Sequence, residues 1–143
     1  MESRNQVNPE QFMKALPHCG AMGMELVSVG GGKAEIALPF DARFVGDPDT
    51  GVIHGGAISA IMDTCCGAAV MGHPMVQGAT ATIDLRIEYL RSASPKARIV
   101  AKAECYHVTR SVAFVRAEAH EGDDGRPPVA IASGTFSVSK VKA

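Results

Sequence analysis

The chain has 143 residues, of which 46% are hydrophobic and 20% are charged, and its formal net charge at pH 7 is −1. This length is enough for one domain with a core of its own, and the near-neutral charge offers no basic surface to nucleic acid. No apolar run reaches the roughly 18 to 20 residues of a membrane span. We therefore predict a single domain over residues 1–143, with residues 1–20 as a helical N-terminal extension, and neither a nucleic-acid partner nor a membrane partner.

The N-terminus and the cysteines indicate the compartment. Residues 1–9 lack the apolar segment of a secretory signal peptide. The four cysteines include an adjacent pair but no Cys-x-x-Cys, so their spacing fits neither a disulfide framework nor a zinc site. We expect a cytoplasmic protein whose thiols are reduced groups buried in the core: Cys19, Cys65, Cys66 and Cys105.

The first predicted elements are a short helix and a hairpin. Residues 9–16 can form the helix, with Asn8 as N-cap and Pro9 in its first turn. Two strands, at residues 22–29 and 33–38, flank three consecutive glycines that favour a hairpin turn. Residues 40–50 contain Asp-Pro-Asp-Thr and are predicted to be a loop.

A central helix is predicted from residue 55 to the His73-Pro74 pair, which ends it. From Ala57 onward this segment is apolar on nearly every side, as in a helix without a solvent face. Its one charged residue is Asp63, and an ionised carboxylate there needs a partner or a wet cavity. Residues at i, i+3, i+7 and i+11 share one helical face, whose small side chains leave room for a ligand beside the carboxylate: Gly56, Ser59, Asp63 and Gly67.

The sequence His54-Gly55-Gly56 would form the start of this helix. Backbone N–H groups in a first turn have no intrahelical partner, and the helix dipole favours negative charge there. The Gly55 N–H can therefore bind a carbonyl oxygen, as in an oxyanion hole. An alternative, compatible with the first, is that Gly55 and Gly56 are needed for close backbone packing.

Beyond the helix the hydrophobic period changes to two. One strand, at residues 79–89, alternates a polar face, Thr80, Thr82, Asp84, Arg86 and Glu88, with an apolar face, Ala79, Ala81, Ile83, Leu85, Ile87 and Tyr89. Further strands are predicted at residues 98–105, 112–120 and 129–138, with a turn at residues 122–125. The fold class is therefore α+β, with one antiparallel sheet curled against one helix.

The spacing of the His-Gly-Gly sequence and the helical carboxylate resembles that of a known family. With Asp63 eight residues after Gly55 in a small-residue helix, the chain resembles the hotdog-fold acyl-CoA thioesterases of the phenylacetate-pathway (PaaI-like) group. The resemblance covers residues 22–138 and includes Glu-Tyr-Leu-Arg at residues 88–91. It implies a hotdog fold, in which a curled antiparallel sheet wraps around one long central helix. It also implies hydrolysis of a small, medium or aromatic acyl-CoA to free acid and CoA.

The same resemblance implies roles for the helix residues. The Gly55 N–H would polarise the thioester carbonyl, while Asp63 acts either as nucleophile or as base for water. No ligand spacing surrounds His54, so we expect no metal. We expect its ring to bond the backbone and shape the start of the helix, or, as a catalytic residue, to contact the thioester. Ser59 can donate to Asp63 or substrate, or back to the helix backbone. No cofactor is needed, because a thiolate is a competent leaving group.

Two features of the resemblance concern the substrate. Arg91 and Arg110 are candidates to bind the nucleotide phosphates of CoA, a contact for which Arg is suited. Related thioesterases often have Asn or Gln six residues before this His, whereas this chain has Pro48. Asp47, Asp49 or Thr50 would then take that role, unless other groups do.

The spacing of the two helix residues predicts an oligomer. Gly55 and Asp63 would lie about 12 Å apart along the axis at 1.5 Å per residue, so one thioester cannot contact both. A two-fold homodimer with antiparallel helices, or a dimer of dimers, would join Gly55 of one chain to Asp63 of the other.

The sequence leaves two other functions open. A hotdog hydratase or dehydratase would use Asp49 and His54, but Thr-Gly-Val replaces the usual Asn-Pro between them and Asp63 stays unexplained. A non-catalytic acyl-CoA-binding protein usually carries a DNA-binding segment, for which the N-terminal 20 residues are too short.

Overall fold

The structure is a computed structural model that describes residues 9–122 and 125–142. Within these residues the helices are α1 (Pro9–Lys14), α2 (Pro17–Met22) and α3 (Gly55–Met71), and a 3-10 turn spans Ala42–Phe44. The strands are β1 (Glu25–Gly30), β2 (Lys33–Leu38), β3 (Val45–Asp47), β4 (Val52–Ile53), β5 (Val76–Tyr89), β6 (Ile99–Val108), β7 (Val112–His120) and β8 (Ala130–Val141). None of the described helices has the length and hydropathy needed to cross a lipid bilayer.

Six strands form one antiparallel sheet that curls around α3. The strand order is β1-β2-β6-β7-β8-β5, while β3 and β4 form a separate hairpin. Helix α3 contacts all six strands of the large sheet. The predicted α+β class, with one curled antiparallel sheet around one long helix, is confirmed.

Small side chains on the inner face of the sheet let it approach the helix closely. Ala101, Ala117 and Ala119 are buried there, opposite α3 side chains that have no exposed surface, among them Ile61 and Met62. Dispersion contacts add up over such an interface because the two surfaces interdigitate without voids. The helix is thus packed as part of the core, and this packing fixes the positions of its residues relative to the strands.

The four cysteines are free and buried, as predicted. The Cys65 Sγ lies 3.4 Å from the carbonyl oxygens of Ala34 and Ala101, either of which can accept from its single thiol proton. Burial raises the pKa of the Cys65 thiol to about 12 and raises that of Cys66 as well. Both thiols are therefore neutral packing groups rather than nucleophiles.

The N-terminal elements differ in part from the prediction. The helix expected at residues 9–16 ends at Lys14, and its predicted cap, Asn8, lies outside the described residues. A second helix, α2, then begins at Pro17 and ends at Met22, and it is followed by Gly23, whose φ of 74° is left-handed. The first strand therefore begins at residue 25, three residues later than predicted. A six-residue helix is too short to produce a hydrophobic period, so proline and glycine were its only signals.

Part of the predicted loop at residues 40–50 forms the β3–β4 hairpin. The backbone N–H of Thr50 and that of Gly51 both donate to the Asp47 carbonyl, which closes the turn. Gly46 lies directly against His54, where a Cβ would stand only 2.9 Å from the His54 Cα. The hairpin therefore packs on the start of α3.

The predicted alternation of β5 is wrong in phase before the bulge that follows Thr82, whereas Leu85 and Ile87 beyond it lie on the inner face as predicted. Its pairing with β8 slips at two places, one of them between Thr82 and Asp84. A one-residue slip moves the following side chains to the opposite face. Thr80 and Thr82 therefore lie on the inner face with Leu85 and Ile87, although the sequence pattern placed the two threonines on the wet face.

The apolar face of β5 is incompletely covered within one chain. Leu85 and Ile87 are half-buried, but Ile83 is 59% exposed and Tyr89 is 51% exposed. The strand order also leaves β5 at an edge of the sheet. A 14-residue edge strand with exposed apolar side chains is a surface suited to pairing with another chain.

The three remaining strands follow the predicted pattern. Strand β7 has the predicted bounds, and the inner residues of β6 include Ala101, Ala103 and Cys105, as expected. Strand β8 runs on to Val141, beyond the predicted end at residue 138. Of the turn predicted at residues 122–125, residues 123 and 124 lie outside the described part of the chain.

Candidate active site

The His54 ring forms the N-cap of α3. Its Nδ1 accepts from the Gly56 N–H at 2.7 Å, so a neutral ring carries its proton on Nε2. A Cβ on Gly56 would stand 2.9 Å from that same Nδ1. Glycine at residue 56 therefore lets the ring fold over the first turn, and the ring satisfies one of the N–H groups that lack a helical partner.

The backbone N–H of Gly55 lies at the N-terminal end of α3, where the helix dipole is positive. Within the described residues this N–H donates to no acceptor of the chain. The Tyr89 hydroxyl donates to the Gly55 carbonyl at 2.9 Å, and a Cβ on Gly55 would approach the Tyr89 ring to 3.3 Å. The glycine thus packs closely against β5 and also offers a donor of the kind that an oxyanion requires.

The Asp63 carboxylate faces outward from the middle of α3. It is exposed, and its Oδ1 accepts from the Thr82 hydroxyl at 2.7 Å. Thr82 reaches the helix because of the bulge that follows it in β5. Sequence reasoning missed Thr82, since a bulge at this point has no signature in the alternation of residues. Bulges beside active sites commonly re-aim a side chain in this way.

Two adjoining cavities meet at Asp63. One, of about 470 Å³, extends between α2, α3 and β5, and the other, of about 460 Å³, extends towards Ser59 and Ile87. His18 and Thr82 line both cavities, and His18 is a residue that the sequence analysis did not select. Gly55 is not among the described residues that line either cavity.

Ser59 lies one helical turn before Asp63 and lines the second cavity. Its hydroxyl donates to the Gly56 carbonyl at 3.0 Å. The structure therefore shows the back-bonded arrangement rather than a bond to Asp63. The lone pairs of the hydroxyl oxygen can still accept a hydrogen bond from a group in the cavity.

The structure does not bring Arg91 and Arg110 together within one chain. Arg91 follows the end of β5, whereas Arg110 is exposed in the β6–β7 turn beside the other end of the sheet. A strand of nine residues separates these ends by about 30 Å. The Arg91 guanidinium also donates to the carbonyls of Pro127 and Ser92 and to the Glu121 carboxylate, at 2.8 to 3.3 Å.

The polar residues around Pro48 hydrogen-bond to one another within the β3–β4 turn. The Asp47 carboxylate accepts from the Asp49 N–H and from the Thr50 hydroxyl, each at 3.0 Å. Asp49 is thus part of the hairpin turn, and the His54 ring bonds Gly56 instead. The geometry gives no support to a hydratase site built from Asp49 and His54.

Comparison with known proteins identifies the family. A family profile described as the Thioesterase superfamily matches residues 50–127, which include the whole of α3. The chain belongs to the thioesterase superfamily. A crystal structure of a Pseudomonas aeruginosa protein is 36% identical, covers 89% of this chain and 93% of its own, and superposes with a TM-score of 0.78.

Other relatives in the thioesterase superfamily carry functional names. The medium/long-chain acyl-CoA thioesterase YigI of Escherichia coli (strain K12) is 28% identical over 142 residues, with 90% of each chain covered. A mutant of the phenylacetic acid degradation protein PaaI from Thermus thermophilus is 27% identical, with 86% of this chain and 99% of that chain covered and a TM-score of 0.71. The predicted PaaI-like hotdog thioesterase is confirmed, and the protein is a thioester hydrolase.

Proposed function

We propose that this protein is an acyl-CoA thioesterase that hydrolyses a small or medium acyl-CoA to the free acid and CoA. The observation that carries the proposal is the Asp63 carboxylate, held by Thr82 at the point where two cavities meet. Relatives of similar length named as acyl-CoA thioesterases support the class of substrate.

In the proposed reaction, the Asp63 carboxylate is nucleophile or general base. As base, it removes a proton from water, whose oxygen then adds to the thioester carbonyl carbon. The negative charge that develops on the carbonyl oxygen is stabilised by the Gly55 N–H and the α3 dipole. The C–S bond then breaks, the acid is released, and the CoA thiolate takes up the proton. We propose no metal or organic cofactor, because a thiolate leaves without assistance.

We further propose that each site is shared between two chains. Gly55 and Asp63 lie on one helix, about 12 Å apart along its axis, and Gly55 lines neither of the cavities at Asp63. Pairing of the β5 edges of two chains about a two-fold axis would cover Ile83 and set the two α3 helices antiparallel. Gly55 of one chain would then reach Asp63 of the other, in a dimer or a dimer of dimers.

The remaining parts of the proposal concern CoA and the compartment. Arg110 is exposed, and the Arg91 guanidinium keeps one N–H beyond its four hydrogen bonds to the chain, so both can bind a phosphate of CoA.

We propose a cytoplasmic location, where free thiols such as those of this chain stay reduced.

The substitution Asp63→Asn tests the proposed function. Asn retains the shape and can still accept from Thr82, but it supplies neither charge nor basicity. We expect turnover of the best substrate in a panel of short, medium and aromatic acyl-CoAs to fall by about 100-fold or more. The melting temperature should stay close to that of the wild type.

Asp84→Asn is the matched control, because Asp84 is an exposed carboxylate on the outer face of β5. It should retain wild-type turnover. If Asp63→Asn keeps more than about a tenth of the wild-type rate, Asp63 is not the catalytic carboxylate.

A further inference from the structure

The larger cavity at Asp63 follows α3 towards its C-terminal end. On the helix it is lined by Asp63, Gly67 and Met71, which succeed one another at intervals of four residues along one ridge. Strands β5 and β8 supply the second wall, to which β8 contributes Phe136. The turn between α1 and α2, including Leu16, supplies the third wall.

Away from Asp63 the walls of this cavity are largely apolar. Leu16 and Met71 both line it and remain 37% and 38% exposed, while Phe136 is buried to 2%. Large apolar side chains on the walls of a cavity gain stability when an apolar group fills the space between them. A chain without polar atoms suits this space, whereas the nucleotide of CoA does not.

The length of the cavity sets the size of that chain. Asp63 and Met71 are eight residues apart on α3, which is about 12 Å along the axis. Carbon–carbon bonds of about 1.5 Å at angles near 111° advance an extended alkyl chain by about 1.25 Å per carbon. With the thioester carbonyl at Asp63, about eight to ten carbons would reach Met71.

We propose that this cavity binds a linear aliphatic acyl chain of about eight to ten carbons, and that Gly67 and the α1–α2 turn determine the chain length accepted. The inference rests on the proposed function, because it requires the thioester carbonyl to lie at Asp63. It narrows the proposed substrate from a small or medium acyl-CoA to a medium-chain, linear acyl-CoA.

Gly67 is the residue whose substitution tests the proposal most directly. Glycine inside a helix is destabilising relative to alanine, so its presence at the middle of α3 needs another reason. A Cβ at residue 67 would meet only the Phe136 ring, at an ordinary 3.9 Å. The helix would therefore accept a side chain at Gly67, and that side chain would enter the cavity.

The test measures binding of two non-hydrolysable thioethers, S-butyl-CoA and S-decyl-CoA, to the full chain by calorimetry. Each buried methylene strengthens binding several-fold, so the wild type should bind S-decyl-CoA at least about tenfold more tightly than S-butyl-CoA. Gly67→Leu fills the cavity one turn beyond Asp63 and should reduce this ratio to below about threefold.

Gly20→Leu is the matched control, because Gly20 is an exposed helical glycine of α2 that does not line the cavity. A Cβ there meets only the Met13 carbonyl at 4.0 Å, and the control should keep the wild-type ratio. Gly67→Ala, which helix propensity favours, gives the same test at smaller amplitude if the leucine variant folds poorly.

Turnover of acyl-CoA is measured independently of thioether binding. The thioesterase proposal and the chain-binding proposal can therefore be overturned independently. Equal binding of the two thioethers by the wild type, or an unchanged ratio in both Gly67 variants, would overturn the assignment of this cavity. A wild type that discriminates the thioethers but hydrolyses no acyl-CoA would instead overturn the thioesterase proposal and leave the cavity as a chain-binding site.

Discussion

Thr82 fixes the direction in which the proposed catalytic carboxylate points. Its hydroxyl donates to Asp63 Oδ1, and among the described residues no donor bonds Oδ2, which can therefore accept from water or substrate. A hydrogen bond to a charged group contributes about 1.5 to 3 kcal/mol, enough to select one rotamer of an exposed aspartate. We therefore predict that Thr82 acts as a positioning residue for Asp63.

Replacement of Thr82 by valine removes this hydroxyl without changing the shape of the side chain. We expect kcat to fall by about 10- to 100-fold with little change in KM, because orientation matters most in the transition state. Thr82→Ser should restore most of the rate. Steady-state kinetics with one acyl-CoA give the result, with Thr135→Val on β8, paired with Asp84 rather than with Thr82, as control.

An unchanged kcat in Thr82→Val, with the fold intact, would show that the Asp63 carboxylate orients itself without Thr82. A rise in KM alone would place Thr82 in substrate binding instead.

The residues of α3 could be predicted from sequence because their spacing alone places them. Asp63 and Gly67 share a face by the period of the helix, and the glycines before Ala57 mark its start. Thr82 could not be found in this way, because its direction depends on a bulge that arises from strand pairing. The hydrogen bonds of the Arg91 side chain likewise join residues that are distant in sequence, so no local sequence pattern predicts them.

At the scale of elements, the segment after β5 is tied to the segment after β7 by the buried Glu121 carboxylate. The Glu121 side chain is 2% exposed and accepts from the backbone and side chain of Ser94, from Arg91 and from Arg126. Burial alone would raise the pKa of Glu121, but the bonds from Ser94 and the two arginines outweigh it and hold this pKa below its ordinary value. The ionised form is thus bound into the fold.

Because the folded-state pKa of Glu121 is lowered, its contribution to stability is present above the unfolded pKa, about 4.5, and is lost as pH falls through the folded value. Glu121→Gln should lower the free energy of unfolding by about 2 kcal/mol at pH 7. It should also show a shallower loss of stability below pH 4.5 than the wild type. Urea unfolding between about pH 7 and about pH 3 measures both effects.

Glu25→Gln is the control for Glu121, because Glu25 forms an exposed ion pair with Arg98. Such pairs contribute about 0 to 1 kcal/mol. Identical pH profiles for the Glu121 and Glu25 variants would show that the buried carboxylate does not hold the two segments together.

Elements with a strict period were predictable, and elements defined by tertiary contacts were not. Strand β7 alternates with a period of two, and helix α3 is an apolar run too long for a buried strand that ends before Gly72 and Pro74. Strands β3 and β4 have three and two residues, which is too few to alternate. They exist because the hairpin packs through Gly46 against His54.

At the scale of the whole molecule, the exposed β5 edge and the separation of Gly55 from Asp63 are explained by the same proposed two-fold dimer. Pairing of β5 with its copy would remove an open edge and cover Ile83. The same pairing would complete each site with a glycine from the opposite chain.

Co-expression of two inactive variants, Asp63→Asn and Gly55→Val, tests the shared site. With random assortment about half of the dimers are mixed, and each mixed dimer has one site with both intact groups. Activity should therefore return to about a quarter of that of the wild type. The measurement is the specific activity of purified mixed protein, with mixed dimers verified by native mass spectrometry and melting temperatures checked for each variant.

Each variant expressed alone serves as the control and should be inactive. Absence of recovery in correctly folded mixed dimers would mean that Gly55 and Asp63 do not cooperate across the interface.

The α1–α2 turn lies outside the part of the chain by which the superfamily is recognised. The profile match spans residues 50–127 and so includes Asp63 and Thr82, but neither Leu16 nor Phe136. If Leu16 and Phe136 help to limit the acyl chain, part of the substrate choice is encoded outside the residues that carry the chemistry, while Gly67 lies among those residues. Mutations outside residues 50–127 could then change the preferred acyl chain without changing the reaction. Homologues that match only over those residues would catalyse the same reaction on a different acyl-CoA.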